Sequence, residues 1–300
     1  MHSALSPSAP RGHRYDGWVG GPIWRVGERV FDCSERTLVV GILNVTPDSF
    51  SDGGRYLDRA TAVAHATRMV EEGADILDVG GESTRPGSSA VSADEELERV
   101  HPVIERLAEL HPAIPISIDT RKAGVAAEAL DAGATIVNDV SGGADPAMFD
   151  VVRDRESAVV LMHMQGDPAS MQESPEYDDV VGEVHEYLRQ RIEAAELAGI
   201  DPERIAIDPG IGFGKDLDHN LELMHGVGAL LDLGRPVLVG PSRKKFIGTI
   251  LDLPEEERVE GTVGAVVWMV ARGAHLVRVH DVKEVVRAVR VADAIARGAG

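Results

Sequence analysis

The sequence predicts a single (β/α)8 barrel, and eight short apolar runs along the chain are the first observation behind this prediction. From residue 38 onward these runs alternate with segments whose apolar residues have helical spacing. Strict alternation of this kind is typical of parallel strands joined by right-handed crossovers. Eight strand candidates favour a closed barrel over an open doubly wound sheet. The chain has 300 residues and 43% apolar content, which suffice for one core of this size.

Each predicted strand is followed by a polar or glycine-rich segment. In chain order the apolar runs are LVVGILN, ADILDVG, IPISI, ATIV, AVVLM, RIAI, PVLVG and AHLVR. The segments after them are TPDSFSDGG, GESTRPG, DTRK, NDVSGG, HMQG, DPGIGFGK, PSRKKFIG and VHDV. Because the carboxyl ends of barrel strands form one rim, we expect these segments to meet at one site. The sequence therefore indicates an enzyme.

The periodicity predicts helices between the strands, over 59–72, 93–110, 121–132, 178–198, 217–231, 258–272 and 281–296. Residues 1–20 are rich in Ser, Pro and Gly and show no periodicity, which predicts a flexible extension over 1–22. Residues 23–300 form the predicted barrel domain. A short hairpin at about 23–32 is expected to close the barrel floor.

Composition argues against several classes of partner. The formal net charge of −20 disfavours a nucleic-acid partner, because phosphate-backbone binding uses a basic surface. No apolar run approaches the roughly twenty residues that span a bilayer, and no basic region followed by an apolar stretch begins the chain. Cys33 is the single cysteine and suits a reducing compartment. We expect a cytoplasmic enzyme that acts on small molecules.

Carboxylates and amides stand at four strand ends: Asn44, Asp119, Asn138 and Asp208. Any one of them alone is equally compatible with capping the next helix. Together they suit a flat heterocycle with several N–H donors and ring acceptors, because a carboxylate only accepts and an amide does both. Met162, Phe213 and the bare backbone at Gly212 are candidate apolar walls.

Cationic side chains follow other strands: Arg85, Arg243, Lys244, Arg278 and His280. A rim that gathers them predicts an anion site for phosphate or pyrophosphate, beside two glycine-rich loops. Asn44 and Asp52 add oxygens that suit Mg2+ shared with the substrate, although both side chains are also compatible with shaping the loop. Lys122 and Lys215 are as compatible with bracing helices as with binding a ligand.

The motifs NVTPDSFSDGG, GGESTRPG, SIDTRK, NDVSGG, MHMQG, DPGIGFGK, GPSRKKFIG and RVHDV, in this order, resemble the dihydropteroate synthase family from about residue 38 to 296. The resemblance implies a barrel that joins 6-hydroxymethyl-7,8-dihydropterin diphosphate to 4-aminobenzoate. It also implies a dissociative reaction, competition by sulfonamides, and a homodimer formed through the late helices. The stretch GTVGAVVWMVA at 261–271 fits such an interface or the packing face of a barrel helix.

The resemblance also implies residue roles. It places the pterin against Asp119, Asn138, Met162, Asp208, Gly212, Phe213 and Lys244. It places 4-aminobenzoate at Thr84, Phe213 and Ser242, and diphosphate at Asn44, Arg85, Arg278 and His280, with Mg2+ at Asn44. The catalytic set it implies is Asp52, Arg85, Lys244, Arg278 and His280.

Two rival functions stay open at this point. A pterin-binding methyltransferase domain uses a similar barrel but has no diphosphate to bind. A non-catalytic paralogue would keep the pterin pocket without turnover. The arginines and the SDGG loop favour the synthase over the methyltransferase.

Overall fold

A computed structural model describes residues 21–46, 54–83, 91–167 and 170–297. Its strands are β1 (Ile23–Val26), β2 (Arg29–Asp32), β3 (Leu38–Asn44), β4 (Ile76–Gly80), β5 (Ile116–Asp119), β6 (Ile136–Asp139), β7 (Ala158–Met162), β8 (Ile205–Asp208), β9 (Leu238–Val239) and β10 (Leu276–Val279). Its α-helices are α1 (Gly54–Glu72), α2 (Ala93–Leu110), α3 (Ala123–Asp131), α4 (Met148–Asp154), α5 (Val180–Leu197), α6 (Leu217–His225), α7 (Lys245–Leu251), α8 (Val259–Val270) and α9 (Val282–Arg297).

The main sheet has eight parallel strands in the order β8, β7, β6, β5, β4, β3, β10, β9. Closure between its two ends is made by a parallel bridge between Ile207 and Val237. There the backbone N–H of Ile207 donates to the carbonyl of Pro236 at 2.9 Å. The predicted (β/α)8 barrel is confirmed.

The predicted hairpin at the floor of the barrel is also confirmed. Strands β1 and β2 pair antiparallel. Trp24 and Val26 are buried in one cluster with inward-facing strand residues such as Leu38 and Leu276. The indole N–H of Trp24 donates to the carbonyl of Arg204 at 3.3 Å, which ties the hairpin to the segment before β8.

Alternation along the strands separates the core into two parts. One side chain in two packs outward against the helices, as Leu77 and Val79 do on β4. The intervening residues face the barrel interior. On β4 these are Ile76 in the apolar floor cluster, then Asp78, then Gly80 at the rim. The functional candidates therefore lie directly above an apolar floor.

Three helical features differ from the prediction. The seven-residue helices α4 and α7 were not predicted. Two turns are too short to establish a periodic pattern, so these segments read as loops. The helix predicted over 217–231 ends at His225, and a 3-10 helix follows over Val227–Leu233. None of the helices within the described ranges is both long and apolar enough to cross a membrane.

Candidate active site

Arg278 lies at the centre of the rim, between two carboxylates from different strands. Its Nε donates to Asp78 Oδ2 at 2.6 Å, and one of its terminal nitrogens donates to Asp119 Oδ2, also at 2.6 Å. All three side chains are largely buried, with Asp78 only 1% exposed. Charge-assisted bonds of this length are the strong ones in proteins. They fix the plane of the guanidinium before any ligand is bound.

The candidate pterin acceptors titrate far from their usual range because they are buried. Burial raises the pKa of Asp119 to about 7, with Asp78 adding to the rise and Arg278 opposing it. Burial likewise raises the pKa of Asp208 to about 6, although the backbone N–H of Gly210 donates to its Oδ1 at 2.7 Å. Asn138 lies beside Asp119 across the β5–β6 ladder. Perturbed acids gathered in a cleft are typical of a functional site.

One wall of the site is apolar and cationic at once. Met162 and Phe213 belong to one buried cluster. The ammonium of Lys244 lies 3.8 Å from the centroid of the Phe213 ring, which is cation–π contact distance. Gly212 has a φ of +80°, and a Cβ there would lie 2.9 Å from Lys244 Cδ. The glycine therefore lets the backbone approach the lysine closely.

Lys215 braces the loop that carries Gly212 and Phe213. Its buried ammonium donates to the carbonyls of Gly210 and Phe213, both at 3.0 Å, and contacts His163 Nδ1 at 2.9 Å. Burial lowers the pKa of Lys215 to about 7, partly opposed by the charge of Asp208. Of the two roles left open for Lys215, the structure shows bracing, and the braced element is the pocket loop.

Ser242 and His280 meet at the rim above the neighbouring strands β9 and β10. The Ser242 hydroxyl and His280 Nδ1 lie 3.0 Å apart, and the backbone N–H of His280 donates to the same hydroxyl at 3.2 Å. The sequence groups His280 with the cations, but burial, followed by the charges of Arg278 and Arg243, lowers its pKa to about 3. His280 is thus a neutral hydrogen-bonding group near pH 7. Its position is as expected and its charge is not.

Two further cations from the sequence are already engaged by acids. Arg243 donates to both oxygens of Asp281, at 3.0 and 2.5 Å, so its charge is not available to an anion at the rim. Lys122 Nζ donates to Glu82 at 2.8 Å and to buried Glu96 at 2.5 Å. Of the two roles left open for Lys122, these contacts show bracing, because its ammonium joins two acidic side chains of the protein.

Asn44 stands on the same rim as Asp119, with Gly80 between their strands. A side-chain carbon at Gly80 would lie 3.8 Å from Asn44 Oδ1 and 3.7 Å from Asp119 Oδ2. Both oxygens therefore face one small space at the rim. In the part of the chain that the structure describes, no group of three or more His, Cys, Asp or Glu side chains is placed to hold a metal. The donor set suits an ion that takes its other oxygens from a substrate and water.

The structure brings together most of the residues that the sequence singles out: Asn44, Asp119, Asn138, Met162, Asp208, Gly212, Phe213, Ser242, Lys244, Arg278 and His280 stand at strand ends or in the loops directly after them. Asp52, Thr84 and Arg85 lie outside the described residues. The residue that the sequence reasoning missed is Asp78, which lies within β4 and not at its end. The sequence did contain a signal, because Asp78 is the only charged residue among the five residues ILDVG that form β4.

Comparisons with known proteins agree with this geometry. The family profile described as pterin binding enzyme matches residues 40–280. A dihydropteroate synthase of Synechocystis sp. is 47% identical over 274 residues, which cover 91% of this chain and 94% of that protein. The Escherichia coli K12 dihydropteroate synthase is 48% identical over 256 residues, which cover 85% and 90%. The solved structure of Xanthomonas albilineans dihydropteroate synthase with 4-aminobenzoic acid matches with a TM-score of 0.87 at 48% identity, over 93% of this chain and 100% of that one.

Proposed function

Because this chain belongs to the dihydropteroate synthase family of pterin-binding enzymes, we propose that its buried strand-end residues recognise the two parts of one substrate, a pterin ring and a diphosphate. The reaction joins 6-hydroxymethyl-7,8-dihydropterin diphosphate to 4-aminobenzoate and yields 7,8-dihydropteroate and diphosphate in folate biosynthesis. The observation that carries the assignment of residues is Arg278 held between Asp78 and Asp119, beside Asn138.

The pterin ring binds the acids and the amide at the rim. Asp119 and Asp208 accept N–H groups of the ring, and Asn138 contributes its amide. Met162 and Phe213 supply the apolar faces. Burial supports this assignment, because an N–H group left without its charged acceptor inside a dry pocket costs far more binding free energy than an N–H group that faces water.

The diphosphate binds next to the pterin, around Arg278. Asp78 and Asp119 occupy only some of the N–H donors of Arg278, so the others are free to face phosphoryl oxygens. His280 is neutral and adds a hydrogen bond, and Lys244 adds positive charge. Donors fixed in advance stabilise charge as it develops on the departing group. We propose that the C–O bond breaks before the amine attacks, and that the nearby carboxylates stabilise the pterin cation.

Asn44 is the residue that we assign to Mg2+. Its Oδ1 faces the space beside Gly80, where an ion shared with the diphosphate would be held. When bound there, the ion would supply positive charge that neutralises the leaving group. Chelation of the metal should weaken binding of the pterin diphosphate, measured by calorimetry, and should leave binding of the pterin without diphosphate unchanged. In Asn44→Ala the affinity for the pterin diphosphate should differ much less between the metal-loaded and the chelated protein.

Turnover tests the whole assignment. The purified protein is given the pterin diphosphate with and without 4-aminobenzoate, and diphosphate release and dihydropteroate are both measured. Release that depends on the amine and matches the product in amount is the expected result. Methyl transfer, or binding with no product, would contradict the proposal and favour one of the rival functions.

We propose that 4-aminobenzoate binds beside Phe213 and Ser242, and that sulfonamides compete for the same place. The solved dihydropteroate synthase of Yersinia pestis forms a complex with a sulfonamide drug, at 42% identity and a TM-score of 0.87. A sulfonamide should raise the KM for 4-aminobenzoate and leave kcat unchanged. Inhibition that excess 4-aminobenzoate does not relieve would refute this binding site.

The proposed homodimer forms through α7 and α8. Trp268 is 46% exposed, and Ile250 and Leu251 are 55% and 43% exposed on the neighbouring helix. Large apolar side chains exposed on two helices that contact each other favour an interface at this place. Sedimentation should give a dimer for the wild type and a monomer for Trp268→Glu. Ile295→Glu, which changes a 76% exposed residue on α9, is the control and should stay dimeric. We also propose a cytoplasmic location, which the free thiol of Cys33 supports.

A further inference from the structure

Asp78 lies beneath the rim and contacts residues of both proposed subsites. It is 1% exposed and stands two residues before the end of β4. Its Oδ2 accepts from Arg278 Nε at 2.6 Å and from Asn138 Nδ2 at 3.1 Å. We propose that Asp78 is a positioning residue that orients Asn138 for the pterin and Arg278 for the diphosphate, an inference that rests on the proposed function.

The first consequence concerns the amide of Asn138. A carboxylate can only accept, so the amide must turn its NH2 group toward Asp78. Asn138 Oδ1 must then face another direction. Asp78 therefore determines that Asn138 offers an acceptor to the substrate, which selects an N–H group of the ring at this point. Without Asp78 the amide is free to flip and to offer a donor in the same place.

The second consequence concerns the guanidinium of Arg278. One bond to Asp78 through Nε and one to Asp119 through a terminal nitrogen fix both its position and its plane. Without the hydrogen bond from Nε to Asp78, the guanidinium can rotate about its remaining hydrogen bond to Asp119. Its remaining donors would then no longer be aimed in advance at one place.

Asp78 acts as an acceptor in both contacts. Its second oxygen, Oδ1, is buried and has no hydrogen-bond partner among the described residues. Both hydrogen bonds of the Asp78 side chain therefore converge on Oδ2. One oxygen atom thus connects the two subsites, which otherwise belong to strands β6 and β10.

The experiment measures two affinities by calorimetry without turnover, one for the pterin without diphosphate and one for inorganic diphosphate with Mg2+. Asp78→Ala should weaken each by about tenfold or more, the scale expected for a lost charge-assisted bond. Asp78→Asn keeps an acceptor at the Oδ2 position and should recover part of both losses. Ser117→Ala is the control, because Ser117 pairs with Asp78 in the sheet and lines the same small cavity. It should change neither affinity by more than about twofold.

Double-mutant cycles separate positioning from a general loss of structure. Adding Asp78→Ala to Asn138→Ala should cost little further pterin affinity, and adding it to Arg278→Ala should cost little further diphosphate affinity. Strict additivity in both cycles, or wild-type affinities in folded Asp78→Ala, would overturn the inference. If Asp78→Ala does not fold, Asp78→Asn carries the same cycles. A wild-type protein that binds no pterin would instead refute the proposed function.

Discussion

The raised pKa of Asp119 predicts that pterin binding depends on pH in the neutral range. Burial raises this pKa to about 7, so the carboxyl is mostly protonated at pH 6 and mostly ionised at pH 8. An N–H group of the ring requires the ionised form as its acceptor. Binding at pH 6 must therefore release a proton, and the affinity should rise as the pH rises.

The size of this effect follows from the ionised fraction. For a pKa near 7 that fraction grows from roughly one tenth at pH 6 to roughly nine tenths at pH 8, which gives about a tenfold gain in affinity, or about 1.4 kcal/mol. Asp208, with a pKa of about 6, adds a gain of about twofold over the same range. Lys244, with a pKa of about 8, loses part of its charge and opposes that smaller gain. Asp119 therefore accounts for most of the expected pH dependence of the pterin affinity.

Calorimetry with a pterin that lacks the diphosphate measures the effect between pH 6 and 8. Two buffers with different ionisation enthalpies report the protons released. At pH 6 we expect more than one, roughly 0.9 from Asp119 and roughly 0.5 from Asp208, and at pH 8 only about a tenth of a proton from these two acids. Asp119→Asn should remove most of the dependence, whereas the matched variant Asp208→Asn should keep it. An affinity that is flat across this range in the wild type would show that Asp119 is ionised before the ligand arrives, and the reasoning would fail.

Three other changes test the contacts around the site. Arg278→Ala leaves two buried carboxylates unpaired, so the free energy of unfolding at pH 8 should fall by about 3–5 kcal/mol in urea titrations, and an unchanged midpoint would contradict the pairing. Gly210→Ala would place its Cβ 1.9 Å from the carbonyl oxygen of His163 at a φ of +69°, and should cost more than about 2 kcal/mol of stability, whereas Gly124→Ala, with open space around it, should be neutral or slightly stabilising. In the folded protein Lys215 releases its proton near pH 7, whereas in the unfolded chain it keeps the proton up to about pH 10.5. Between these values the unfolded state binds more protons, so the free energy of unfolding of the wild type, compared with that of Lys215→Met, should grow from pH 7 to 9. A constant difference between the two proteins would refute the lowered pKa.

The fold was predictable because each of its strands is a continuous apolar run with a turn or polar segment after it. Parallel strands covered on both faces have this pattern, and all eight runs of the barrel appear as strands. The same feature hides which residues face inward, since both sets of alternating positions are apolar. The helices α4 and α7 were missed because seven residues give no usable periodicity.

The candidate site was predictable as a set of strand-end residues and not as a set of contacts. Sequence reasoning assigned Arg278 to the diphosphate and Asp119 to the ring, yet the two side chains are bonded to each other. The reach of an arginine across the barrel depends on the closed sheet, which local spacing does not encode. His280 was grouped with the cations for the same reason, because its charge is decided by burial.

Burial also explains how an acidic protein accommodates an anionic substrate. With a net charge of −20 the surface repels diphosphate. Inside the rim, however, burial raises the pKa values of Asp119 and Asp208 toward neutrality, which removes part of the negative charge near pH 7. An arriving diphosphate opposes ionisation of these acids, whereas the N–H groups of a pterin favour it. Arg278 reconciles the two demands, because the same guanidinium stabilises the Asp119 carboxylate and keeps other donors for the phosphoryl oxygens.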